Sequence, residues 1–303
     1  MDNKSSMTAL IAAFSRVYHA EYDEPKIFHD PIARQLMTEE EYQQIKGYMI
    51  GGLDFFAPEM KSKLTAPEDI LKWVVQTQLA PTPLARARYC EDMVMNAMRV
   101  GARQYVILGA GMDTFAYRNP ELLSEIQVFE VDHPDTQTFK RMKVNEAGWA
   151  IPDNLHYVPV DFTKDDLTEQ LVKSGFNIKK ITFFSWLGVT YYLGKQDIEA
   201  MIKTISSISP DGSSLLFDYA DDKFLTSDVK RVQNQIAMAK AAGEPMHSGF
   251  SYFELEDLLA EYGLLLYEHL TASDIDNCYF ANRSDYLRAF ENINYVLAVK
   301  KGC

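Results

Sequence analysis

From Gln104 onward the chain repeats one pattern, a short apolar run, a turn, then a helix-like segment. The runs fall at residues 105–108, 128–132, 157–161, 181–186, 214–219, 264–268 and 295–299. Helix-like stretches at 134–147, 166–174, 195–208 and 252–262 separate most of them. Strands that alternate with helices pair in parallel and bury both faces of their sheet under helices. The expectation is an α/β fold on seven mostly parallel strands. A long connection joins the last two runs, so one strand there can run antiparallel.

Before residue 104 the periodicity is helical. Leu10, Ala13, Phe14 and Val17 stand at i, i+3, i+4 and i+7 within residues 7–18. Residues 67–79 carry Pro67 in their first turn, a position proline favours. A third helix is expected over 83–98, after the breaker Pro81-Thr82 and before Gly101. Between the first two lies a stretch read as loop from Gly47, Gly51, Gly52 and Pro58. Residues 1–85 are thus expected to form a helical part and 86–303 the core. The polar segment 221–250, helical in its middle, is expected to cap the sheet's open edge.

Charge narrows the partners. Thirty Lys and Arg against 43 Asp and Glu give a net charge of −13. With no basic block to offset it, this acidity disfavours nucleic acid and anionic membranes. No run approaches the roughly 20 apolar residues of a membrane span. Three scattered cysteines, Cys90, Cys278 and Cys303, make neither a disulfide framework nor a zinc site. The histidines form no metal-binding pair. A cytoplasmic protein without a metal is expected, and the oligomeric state is left open.

The strongest chemical signal is Leu108-Gly109-Ala110-Gly111-Met112-Asp113-Thr114, directly after the first strand. Glycines there let the backbone turn tightly and approach a ligand. Asp132 ends the second strand, 21 residues beyond Gly111, where an acid can accept both hydroxyls of a ribose. The pair argues for an adenosine-containing ligand. A dinucleotide would set its pyrophosphate at the following helix N-terminus, but Asp113 stands in that turn and Thr114 replaces the third glycine. S-adenosylmethionine has no phosphate and carries a sulfonium and an amino group. Asp113 suits that ligand, and equally suits a residue placed there by the helix dipole alone.

Further residues fit the same ligand. Arg86 shares an apolar helix stripe with Cys90, Met93 and Ala97, so it needs an anionic partner. The methionine carboxylate would serve, as would a protein acid. Asp161 and Phe162 end the third strand, where the acid and the Phe162 N–H could meet adenine; a turn-capping role is the alternative. His133, beside Asp132, is read as pocket-lining or structural.

With these residues in place, the sequence resembles the leucine carboxyl methyltransferase family. The matching pieces are Leu108–Thr114 with Ala116-Tyr117-Arg118, and Glu130-Val131-Asp132-His133-Pro134 with Lys140-Arg141. Arg86-Ala87-Arg88, Val160-Asp161-Phe162, Trp186 through Leu193, and Asp30-Pro31-Ile32-Ala33 also match, all in the family's order. The resemblance implies a class I methyltransferase on a Rossmann-like sheet, with S-adenosyl-L-methionine as cofactor and residues 1–85 as a helical lid over the substrate. By position it puts Arg86 at the methionine carboxylate, Gly109, Ala110 and Gly111 along the methionine portion, Asp132 at the ribose, Asp161 and Phe162 at the adenine, and Trp186 in the cofactor segment. One position departs. The family often has Glu before its Gly-Val-x-x-Tyr-Leu segment, near the cofactor's amino group, and here Leu187 stands there. Another acid or a backbone carbonyl must take that role.

Methyl transfer chiefly requires alignment of an acceptor oxygen with the methyl carbon. A carboxylate is ionised at pH 7 and needs no base, whereas a hydroxyl does. No catalytic base stands out, which favours a carboxylate or an acidic phenol, the carboxylate first, on a small molecule or a peptide C-terminus. Arg16, Tyr18 and Tyr191 are candidates to hold it. Two other readings remain: an NAD-dependent oxidoreductase on the same glycine turn, and a non-catalytic ligand-binding protein, to which Leu187 points.

Overall fold

In the computed structural model, which describes residues 4–162 and 164–302, eight strands form one sheet. They are β1 (Gln104–Leu108), β2 (Gln127–Asp132), β3 (Leu155–Pro159), β4 (Thr182–Trp186), β5 (Ser214–Asp221), β6 (Gly249–Phe250), β7 (Leu264–Leu270) and β8 (Ile293–Lys300). Their order is β3-β2-β1-β4-β5-β8-β7, with the two-residue β6 added beside β5. All pair in parallel except β8, which is antiparallel to both β5 and β7. The seven strands of the sequence reading are present. β6 escaped it because two residues show no periodicity.

The order reverses at β1, whose neighbours β2 and β4 send their connections to opposite sides. In open α/β sheets a crevice forms beyond the strand ends at such a switch point. Side-chain alternation along β1 then sorts the two faces. Val106 and Leu108 pack with Phe129, Phe184, Trp186 and Phe217 under helices Leu167–Lys173, Lys195–Ser207 and Tyr252–Glu261. Tyr105 and Ile107 face the other way, into a core shared with helices Lys4–Tyr22 and Pro81–Arg99.

The N-terminal part is more helical than expected. Residues read as loop contain the helix Glu39–Gly51, whose N-cap Thr38 and Glu41 form a reciprocal capping box. That motif outweighs Gly47 and Gly51, where an added Cβ would meet nothing within 4 Å. The third helix begins at Pro81 rather than after it, because a first-turn proline gives up an N–H that has no helical partner anyway. The segment Pro67–Val74 continues as a wider π turn over Val75–Leu79.

Within 221–250 the helix is Lys230–Ala242, and its Asn234 side chain donates to the Phe56 carbonyl at 2.8 Å. This segment therefore lies on the N-terminal helices. Among the described residues no helix is long and apolar enough to cross a membrane. Cys90 and Cys278 are free thiols; Cys303 lies outside the described residues.

Candidate functional site

A cavity of about 350 Å³ opens where β1 and β4 end, roofed by the Lys4–Tyr22 helix and walled by Pro81–Arg99. Arg16, Arg86, Gly109, Ala110, Gly111, Asp113 and Asp132 of the sequence reading all line it.

The glycine turn is stitched to β2, since the N–H groups of Gly109 and Ala110 donate to the Val131 carbonyl at 2.8 and 3.2 Å. Gly109 has φ +72°, and a Cβ there would lie 2.7 Å from a methyl of Val189. Only glycine meets both demands. Beside it, Asp132 Oδ2 accepts the Gly111 N–H at 2.6 Å and Oδ1 accepts the His133 N–H at 2.7 Å. Burial pushes this carboxyl above the usual range, while the two N–H groups pull it back. The carboxylate is thus aimed, with further lone pairs at the cavity. Asp113 serves locally as well as lining the cavity: its Oδ1 accepts the Phe115 N–H at 2.7 Å.

Arg86 found the protein acid its position demanded. Its Nη1 donates to Asp218 Oδ2 and to the Tyr191 hydroxyl, both at 3.1 Å. Asp218, fully buried in β5, also accepts the Gly188 N–H at 2.6 Å on its other oxygen. One acid therefore fixes both the arginine and the turn beneath it. An acid inside the apolar run Leu215-Leu216-Phe217-Asp218-Tyr219 was the overlooked signal. Gly188 has φ +76°, and a Cβ there would stand 2.5 Å from the guanidinium nitrogens. Gly188→Ala should cost on the order of 1 kcal/mol in backbone strain. It should also displace Arg86, weakening S-adenosylhomocysteine binding by about tenfold in titration calorimetry. Unchanged affinity would show that Arg86 position is immaterial to the ligand.

The roof carries a second charged cluster. Arg16 Nε donates to Asp30 Oδ2 at 2.9 Å, and its Nη2 donates to the Met112 carbonyl at 2.6 Å. Thr114 Oγ1 donates to the same Asp30 oxygen at 2.8 Å, and Arg118 pairs with both Asp30 and Glu91. Arg16 lines the cavity, and these donors also tie the roof helix to the glycine turn. Arg16→Ala should lower stability by roughly 1–3 kcal/mol, from two lost bonds to charged or buried partners. Thermal unfolding checks this, and an unchanged midpoint would leave Arg16 to ligand binding alone. The role expected for Tyr18 is corrected. It is buried against Tyr22, ring centres 5.0 Å apart, and does not line the cavity.

Other expected residues lie elsewhere. Trp186 is 1% exposed and packs on Phe217 on the opposite face, because the pleat sends its neighbours Ser185 and Leu187 into the cavity instead. Tyr191 stands behind Arg86, and the adjacent Tyr192 lines the cavity. His133, Asp161 and Phe162 lie outside the lining. His133 follows β2 and Asp161 and Phe162 follow β3, with His133 Nε2 3.9 Å from Asp161 Oδ2 and Phe162 42% exposed. Asp161 also takes the Lys164 ammonium at 2.6 Å. Asp30, Glu91, Arg118, Tyr192 and Glu244 were not singled out as site residues; Asp30 stood in a quoted motif, but its fourfold pairing is tertiary.

The model of the leucine carboxyl methyltransferase family matches residues 9–206. The chain belongs to this family. A Bacillus subtilis (strain 168) relative named YktD, a candidate S-adenosyl-L-methionine-dependent methyltransferase, is 51% identical over 302 residues, covering 99% of each chain. A similarly named protein of Mycobacterium avium (strain 104) is 30% identical over 75% of this chain and 70% of its own. Among solved structures, a DUF574 family protein from Streptomyces avermitilis superposes with a TM-score of 0.54 at 14% identity, over 95% of this chain and 96% of that one. A candidate methyltransferase from Thermobifida fusca gives 0.53 at 14% identity, over 95% and 94%. These two likenesses concern the fold.

Proposed function

We propose that this protein transfers a methyl group to an oxygen of a small molecule or a peptide C-terminus, with a carboxylate as acceptor. Its membership of the family makes it an S-adenosylmethionine-dependent methyltransferase, and the acceptor oxygen is the added step. The observation that carries the cofactor fit is the convergence of the glycine turn, Asp132 and Arg86 on one cavity. The cradle leaves no room for a Cβ at Gly109 or Gly188, and Asp113 opposes any phosphate in the first turn. Asp132 would hold the ribose and Arg86 the methionine carboxylate. His133, Asp161 and Phe162 form an edge beyond Asp132 on which adenine would lie.

S-adenosylmethionine supplies an activated methyl group. The chain's part is to orient and to exclude water, with the helices before residue 86 as lid and the 221–250 segment as cap. No lining residue is a histidine. Burial pushes the Cys90 thiol and the Tyr192 hydroxyl up to about 12, and the Tyr105 hydroxyl well above its usual value. These groups stay protonated at neutral pH and cannot serve as bases there. An acceptor already ionised at pH 7 suits such a site.

The test is methyl transfer from labelled S-adenosylmethionine over a panel of carboxylic acids, phenols and alcohols. The expected product is an ester that releases methanol in alkali. An alkali-stable ether would overturn the carboxylate assignment, and no cofactor binding would overturn the whole reading.

A further inference from the structure

The cofactor's methionine end presents a carboxylate and an ammonium on one carbon. A site that takes the first at Arg86 must offer an acceptor for the second close by. Leu187, which lines the cavity at the end of β4, has no side-chain acceptor. Four carboxylates do line it: Glu91, Asp113, Asp132 and Glu244.

Three of these are committed elsewhere. Glu91 is paired with Arg118. Asp132 has one backbone N–H on each oxygen and belongs to the ribose end. Asp113 holds the Phe115 N–H two residues on, a bond within its own turn that keeps it on the glycine loop. The three lining arginines are each matched by an acid as well, Arg16 and Arg118 by Asp30 and Arg86 by Asp218.

Glu244 differs. It follows Gly243, whose φ of +84° ends the Lys230–Ala242 helix and turns the chain towards the cavity. Its Oε2 accepts the Thr8 hydroxyl of the roof helix at 2.9 Å. That is a neutral partner, so the negative charge of Glu244 is not cancelled by it. It shares the cavity lining with Arg86 and Tyr192. The Tyr192 hydroxyl, raised mainly by burial, is pulled down by Arg86 and pushed up by Glu244.

We propose that Glu244, carried by the segment that follows the Lys230–Ala242 helix, receives the α-ammonium of the cofactor in place of a carboxylate at position 187. This rests on the methyltransferase reading above.

The test uses two ligands against the full-length protein by titration calorimetry. S-adenosylhomocysteine has the amino-acid end, and 5′-methylthioadenosine lacks it. In Glu244→Gln, affinity for S-adenosylhomocysteine should fall tenfold or more while that for 5′-methylthioadenosine stays within about twofold. Thr8→Val, which keeps the carboxylate, should preserve the preference for S-adenosylhomocysteine. Equal loss for both ligands, or no loss for either, would overturn the proposal. So would a Thr8→Val variant that loses the preference to the same degree, since docking of the roof would then be the cause. Failure of the unaltered protein to bind S-adenosylhomocysteine would instead sink the methyltransferase reading itself. Melting curves of each variant confirm that it is folded before titration.

Discussion

Asp132→Ala is expected to weaken S-adenosylhomocysteine binding by tenfold at least, equivalent to about 1.4 kcal/mol. Two effects add. The ribose loses its acceptor, and the N–H groups of Gly111 and His133 lose the oxygens that now take them at 2.6 and 2.7 Å. Each half-buried donor left without a partner costs roughly 1–3 kcal/mol, and part of that cost is met by distortion of the glycine turn. Asp132→Asn separates the two contributions, because it keeps an acceptor on one side while removing the charge. Calorimetry reads both variants. Unchanged affinity in the alanine variant would move the ribose to another part of the cavity.

Asp30→Ala should produce the largest loss of stability. Asp30 is 1% exposed and gathers Arg16, Arg118, Thr114 and the Ala33 N–H. Removing it leaves the largely buried Arg16 guanidinium without its counter-ion and Arg118 with Glu91 alone. Breaking a buried pair from one side typically costs about 3–5 kcal/mol. At roughly 2–4 °C per kcal/mol for a chain of this class, the melting midpoint should drop by about 10 °C. Asp30→Asn, which retains the shape but not the charge, should fall between. A midpoint within about 2 °C of the unaltered protein would show that the cluster contributes nothing.

Much of this site was legible in the chain because the residues concerned act through local backbone. Gly109, Gly111 and Asp132 are placed by a strand, a turn and the end of the next strand. Their spacing alone brings them together once β1 and β2 pair in register, Leu108 opposite Val131. The Arg86 stripe was readable for the same reason, as a polar side chain on an apolar helix face. Trp186 shows the limit. It is one residue from the cavity in sequence and on the far face in space, and apolar neighbours on both sides hide which face a buried strand presents.

The sequence by itself determined the α/β alternation, the glycine turn with Asp132 beside it, and the family. These are properties of periodicity and short spacing, which local sterics and hydrogen bonding enforce. Only the tertiary structure decided the charge pairing around the cavity. Asp218 meets Arg86 across 132 positions, Asp30 meets Thr114 across 84, and Glu244 meets Thr8 across 236. No local preference encodes such contacts. They exist because burial makes an unpaired charge costly, so each guanidinium in the walls settles against whichever acid the fold delivers.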